Sequence, residues 1–143
     1  EKKLRIDQIV AEVVDDYRLL AKARRVTCRL DLAPTFTNAN YDMMRHVISN
    51  LISNAVRYSE VGGAVKVTCR QHRLVIINKC QPLTQAQLQR VFDPFYHTDS
   101  QISPESDGSG VGLYIVKMLL EAKGLEYSFS PVKQGMAFTI YFS

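Results

Sequence analysis

The chain has 143 residues, 46% hydrophobic and 22% charged, with a formal charge of +4 at pH 7. That length fits one domain with a proper core, and no apolar run is long enough for a membrane span or a signal peptide. Its Lys and Arg residues do not form the clusters of a nucleic-acid groove, so no nucleic-acid partner is expected; three dispersed cysteines without a C-x-x-C and three scattered histidines argue against a metal cluster and for a reducing, cytoplasmic setting.

Asp7 to about Arg24 reads as one helix, with Ile9, Val10, Val13, Tyr17 and Leu20 at helical spacing and Asp7 placed to cap its start. Val26–Leu32 alternates as a half-buried strand that Pro34 ends. Asp42–Arg57 is the clearest helix, with an apolar stripe of Met43, Met44, Val47, Ile48, Leu51, Ile52 and Ala55. After a turn at Gly62–Gly63, "AVKVTCR" and "RLVIIN" predict a hairpin around Gln71–His72. Thr84 and Gln87 have capping-box spacing and open a short helix that Pro94 stops. Residues 97–110 form a polar loop, and the next helix runs to about Ala122 with Gly124 as its cap. "LEYSFS" and "MAFTIYF" close the chain as a second hairpin, with Gly135 in the turn region. Without regular βαβα alternation, these elements predict an α+β fold: a two-layer sandwich, helices on one face of a mixed, largely antiparallel sheet.

Two stretches carry chemistry. In "DGSGVGLYIVK", Gly108, Gly110 and Gly112 lead into a helix. Glycine disfavours helix but permits close backbone approach, and a helix N-terminus has free N–H groups that suit an anion such as phosphate. A flexible loop that ends at a helix is the plain alternative. Neither the dinucleotide fingerprint nor the P-loop fits the residues that follow, Leu113 and Tyr114. On the 42–57 helix, His46, Asn50, Asn54 and Arg57 form a polar stripe. Asn is a poor helix former; its amide oxygens suit Mg²⁺, Arg57 suits a phosphate oxygen, and Tyr58 offers a flat surface for a base. Against that stands a solvated face with no ligand.

"HVISNLISNAVRYS", "VFDPFYHTD" and "GSGVGLYIVK" resemble, in order, the N box, F box and second glycine box of bacterial sensor histidine kinases. The chain resembles their catalytic and ATP-binding domain, within the wider group that includes gyrase B, Hsp90 and MutL (the GHKL or Bergerat ATPases), and the resemblance covers nearly all of it. It implies a single domain over residues 1–143 that binds ATP and Mg²⁺ beneath a lid at about 97–110. By motif position Asn50 and Asn54 would hold Mg²⁺ and phosphate, and Arg57, where the family usually has Lys, would touch phosphate. Tyr58 would lie against adenine or ribose, Phe92 and Phe95 would anchor the lid, and Gly108, Gly110, Val111, Gly112 and Leu113 would wrap the triphosphate. Asn78 would accept a hydrogen bond from the adenine amino group.

The resemblance further implies a kinase that passes the γ-phosphate to a histidine on its own dimerisation domain, absent from this chain, and from there to a response regulator. It implies a fragment that is monomeric alone, from a homodimeric, membrane-anchored bacterial sensor with this domain in the cytoplasm. No residue is an evident general base. His46, the weak candidate for a catalytic role, stands where gyrase- and Hsp90-like ATPases carry a catalytic Glu. Departures from the family pattern matter too. Its first glycine box usually reads D-x-G-x-G, and here "NKCQP" places Asn78 for the Asp and Cys80 and Pro82 for the glycines; Met136 stands where a polar residue is common; the lid has no Lys or Arg. These departures raise an alternative: a nucleotide-binding regulatory module with weak or no kinase activity.

Overall fold

A computed structural model of the chain describes residues 1–94 and 112–142. The elements, in order, are β1 (Lys2–Arg5), α1 (Ile6–Asp16), α2 (Arg18–Ala23), β2 (Thr27–Leu32), β3 (Phe36–Ala39), α3 (Tyr41–Arg57), β4 (Ala64–Arg70), β5 (Arg73–Lys79), α4 (Gln85–Leu88), α5 (Gly112–Lys123), β6 (Glu126–Val132) and β7 (Gly135–Tyr141). Five strands form one sheet in the order β2-β4-β5-β7-β6; β2 and β4 run parallel, and the other neighbours antiparallel. Alternate residues of β4 and β5 (Val65, Val67, Cys69; Leu74, Ile76, Asn78) are buried toward α3, while Lys66, Arg70 and Arg73 are exposed on the other side. The two-layer α+β architecture with a mixed, largely antiparallel sheet is the one the sequence predicts.

The core lies between α3 and the sheet. Met44, Val47, Ile48, Leu51, Ile52 and Val56 are each at most 3% exposed and meet Val65, Val67, Leu74, Phe138 and Ile140. Each such side chain contributes about 1.5–3 kcal/mol on leaving water, so α3 is held by one face and its other side is available to a site. Asn40 caps it, its side chain accepting from the Met43 N–H at 3.0 Å.

Several expectations are corrected. The helix over 7–24 is two helices broken at Tyr17, whose backbone leaves helical geometry (φ −100°, ψ 13°) and whose hydroxyl pairs with Ser49 Oγ at 2.8 Å. Asp7 does not cap α1; it takes the Arg5 guanidinium in a two-pronged pair at 3.0 and 2.7 Å and accepts the Thr35 N–H at 3.1 Å. Arg5 thereby holds the Asp7 carboxyl below the ordinary carboxylate range. The sequence reading omits β1 and β3, which pair antiparallel in a separate two-stranded sheet; four residues each are too few to show a period. The Thr84 capping box forms, but α4 is a single turn that ends well before Pro94, because Val91 and Phe92 turn inward. Gly135 borders the turn. The turn is Lys133–Gln134, with Gln134 at φ 60°, and Gly135 starts β7, where a Cβ would sit 2.3 Å from the Asn78 carbonyl oxygen. The lid, about 97–110, lies outside the described residues.

Candidate functional site

Asn50 and Asn54, in the middle of the polar stripe of α3, do not face open water. α5 packs along α3, and its first residue, Gly112, rests on the two asparagines. Asn50 Nδ2 donates to the Gly112 carbonyl at 3.5 Å, a long hydrogen bond. A Cβ on Gly112 would lie 3.4 Å from Asn54 Nδ2 and 3.6 Å from its Oδ1. Glycine at 112 thus leaves the Asn54 carboxamide uncovered by any side chain at that position. The first turn of α5, whose N–H groups have no helical acceptor, is seated against two neutral oxygen-bearing side chains one turn apart. Those two amide oxygens suit a hard cation that takes its remaining ligands from water and phosphate. Two neutral donors alone make a poor cage, so the donor set fits Mg²⁺ arriving with a nucleotide. Among the described residues no cluster of three or more His, Cys, Asp or Glu side chains could hold a metal.

Further along α3, Arg57 and Tyr58 are half-buried at its C-terminal end. Sequence reasoning missed the residue that fixes this end. Arg24, at the end of α2, donates from Nε to the Val56 carbonyl at 3.1 Å and from its terminal nitrogen to the Ser59 carbonyl at 3.0 Å. A cation on the last carbonyls of a helix satisfies orphan acceptors and complements the dipole. Nothing in the chain order flags Arg24, because its partners lie more than thirty residues away. Glu60 N–H then donates to the Lys79 carbonyl at 2.9 Å, tying the end of α3 to the end of β5.

At that end of β5 sits Asn78, 8% exposed and on the inward face. Its backbone partners are Val65 on β4 and Met136 on β7. Cys80, Leu83, Val91 and Met136 form a second, smaller core, against which Leu113 of α5 packs. Met136 is 1% exposed, and its sulfur accepts the Leu83 N–H at 3.3 Å. Burial pushes the Cys80 thiol up, against the opposing influence of the adjoining Asn78 amide. Phe92 packs edge-on to Tyr127, Phe129 and Phe138 at 5.8, 6.2 and 6.3 Å between centroids.

The fold therefore brings Asn50, Asn54 and Gly112 together at the meeting of α3 and α5; Leu113 packs against the hydrophobic cores, Arg57 and Tyr58 lie at the end of α3, and Asn78 lies near the end of β5. His46 is exposed, one turn before Asn50. Phe95, Gly108, Gly110 and Val111 lie outside the described residues. An element pair that presents free N–H groups, carboxamides and a guanidinium can neutralise and position a polyanion without a general base.

Comparison with known proteins shows the family of the chain and the likeness of its fold. Residues 39–143 match the family described as histidine kinase-, DNA gyrase B-, and HSP90-like ATPase. A relative, the sensor histidine protein kinase HK06 of Streptococcus pneumoniae, is 37% identical over 139 residues; the match covers 96% of this chain and 31% of that protein. The fold is similar to that of the mycobacterial sensor histidine kinase MprB, with a TM-score of 0.81 at 19% identity, covering 99% of this chain and 95% of that one. It is also similar to the catalytic domain of the histidine kinase ThkA, with a TM-score of 0.82 at 18% identity, covering 99% and 93%. On the residues matched, the chain belongs to the histidine kinase-, DNA gyrase B- and HSP90-like ATPase family.

Proposed function

We propose that this chain binds Mg-ATP in the groove between α3 and α5 and presents the γ-phosphate to a histidine on a separate dimerisation domain, as the catalytic part of a two-component sensor kinase. The observation that carries this reading is Gly112 resting on Asn50 and Asn54, an arrangement with little use in a plain core. The relative HK06 is named a sensor histidine kinase, which supports the transfer reaction, as does the absence of an acidic residue at position 46. A response regulator would then receive the phosphate, and the domain would work in the cytoplasm of a membrane-anchored homodimer.

Phosphoryl transfer requires mainly positioning and charge neutralisation. Asn50 and Asn54 would hold Mg²⁺, which would supply charge neutralisation for the nucleotide. Arg57 would carry a phosphate oxygen. Tyr58 would lie along the nucleoside, and Asn78 would meet the base edge. The incoming imidazole nitrogen forms its bond to the γ-phosphorus as the bond to the bridging oxygen breaks, and ADP leaves with that electron pair.

A second reading has its own observation. The positions that glycines hold in the family are here Cys80, buried, and Pro82, half-buried, and Met136 fills the space beside Asn78. A base would therefore meet a fuller pocket, which favours a weakly binding regulatory module. Titration with ATP and a non-hydrolysable analogue, with and without Mg²⁺, and transfer of labelled phosphate to an added dimerisation domain separate the two. Asn54→Ala should keep the circular dichroism of the parent and lose the Mg²⁺-dependent part of binding; equal affinities in parent and variant, with and without Mg²⁺, would remove the metal role.

A further inference from the structure

The two edges of the five-stranded sheet are not alike. β6, at one edge, carries Pro131, which has no N–H to offer a further strand. β2, at the other edge, has no proline, and among the described residues β4 is its one strand neighbour. The Thr27 and Ala33 N–H groups donate to the Gly63 and Cys69 carbonyls on the β4 side, at 3.0 and 2.8 Å. Alternate residues of a parallel strand bond to the same neighbour, so Thr27, Arg29 and Asp31 turn their main-chain groups to β4. Cys28, Leu30 and Leu32 therefore turn their N–H and carbonyl groups to the open edge. An unpaired row of this kind is a template for another strand.

The side chains of β2 decide which strand fits. Leu30 shares the helix-side face with Cys28 and Leu32, which pack against the core, yet it is 44% exposed. Arg29 and Asp31 point to the opposite face and are exposed. Arg70 takes Oδ1 of Asp31, which leaves Oδ2 for a further donor. Among the described residues Arg29 has no ion pair. Two copies of β2 laid antiparallel about Leu30 set Leu30 against Leu30, Cys28 against Leu32, and Arg29 against Asp31. The free N–H groups of one copy then meet the free carbonyls of the other, the exposed leucines cover each other, and opposite charges face across the seam. A slip by one residue sets the helix-side face of one copy against the outer face of the other. A slip by two sets Arg29 against Arg29 or Asp31 against Asp31, as does parallel pairing in register. Charge and face together select the one antiparallel arrangement.

We propose that β2 is the contact strand of a two-fold dimer of this chain, in which antiparallel pairing of β2 with its copy joins the two sheets into one. Such a contact is isologous and closes on itself. A strand edge of 6 residues covers less than the roughly 1,200–2,000 Å² of a standard interface, so the dimer is weak and reversible. It departs from the monomer that the family resemblance implies, and it does not depend on the nucleotide reading.

Sedimentation of the chain from micromolar to millimolar concentration tests this, together with amide hydrogen exchange over the same range. The parent should dimerise reversibly, and exchange at Cys28, Leu30 and Leu32 should slow as the dimer fills. Arg29→Asp and Asp31→Arg each set like charges across the seam and should self-associate about tenfold more weakly. An equimolar mixture of these two variants restores opposite charges at both crossings and should form a heterodimer as readily as the parent forms its own. A parent that stays monomeric at millimolar concentration overturns the proposal. So does a dimer that leaves exchange at β2 unchanged, a single variant that dimerises as tightly as the parent, or a mixture that associates no better than its components. Sedimentation and exchange of the parent need no variant, and they decide the matter even where a variant fails to fold.

Discussion

Replacing Gly112 by alanine should move stability and binding in opposite directions. The backbone at 112 lies outside the left-handed region, and the added methyl would meet Asn54 at 3.4 and 3.6 Å, ordinary contact distances. Alanine therefore fits, and as the first residue of α5 it should gain up to about 0.5–1 kcal/mol of helix preference over glycine. For a domain of this size that raises Tm by about 1–4 °C. The same methyl covers the Asn54 carboxamide, the group that the proposed function assigns to Mg²⁺. Losing one hydrogen bond or ligand to a charged partner costs about 1.5–3 kcal/mol, or roughly ten- to hundredfold in Kd. Thermal melts and titration of Mg-ADP on the same preparation measure both effects. A variant that melts higher and binds as tightly as the parent would refute the placement of the phosphates at Gly112 and Asn54.

Gly135→Ala should behave differently, because its Cβ would lie 2.3 Å from a backbone oxygen of β5; relief requires the two strands to part, at about 1–3 kcal/mol, with Tm lowered by several degrees and an unchanged Tm counting against the packing. The Asp7 carboxyl titrates below its unfolded value because of Arg5, so its stabilisation is complete above an unfolded pKa of about 3.9 and is lost as pH falls through the folded pKa. Asp7→Asn should thus be less stable than the parent at neutral pH, with a gap in urea midpoints that closes in acid; a gap constant from pH 7 to 3 would refute the ion pair. Thr84→Ala removes the half of the capping box in which Thr84 Oγ1 accepts the Gln87 N–H and should cost about 0.5–2 kcal/mol, read as a shift in the urea midpoint; no shift would mean that this cap contributes nothing to global stability.

The long elements were legible in the sequence because each satisfies its own local rule. α3 has an apolar stripe, the β4–β5 hairpin alternates cleanly, and both survive transfer into the fold with their ends nearly unmoved. The polar stripe of Asn50, Asn54 and Arg57 was legible too, since helical periodicity alone puts those residues on one side. Contacts distant in sequence decided the rest. β1 and β3 are strands because they find each other, not because either shows a period. The helix over 7–24 breaks at Tyr17, whose hydroxyl reaches Ser49 on another element. Arg24 braces the end of α3 through backbone carbonyls, which no side-chain pattern can announce. Gly112 read as a glycine that admits a ligand; only the packing of α5 on α3 shows that it also sits on the two asparagines, so that this part of the polar stripe meets another element rather than water alone. Local sequence encodes local periodicity and caps, whereas a site is defined by which faces meet, and that depends on how the whole core closes.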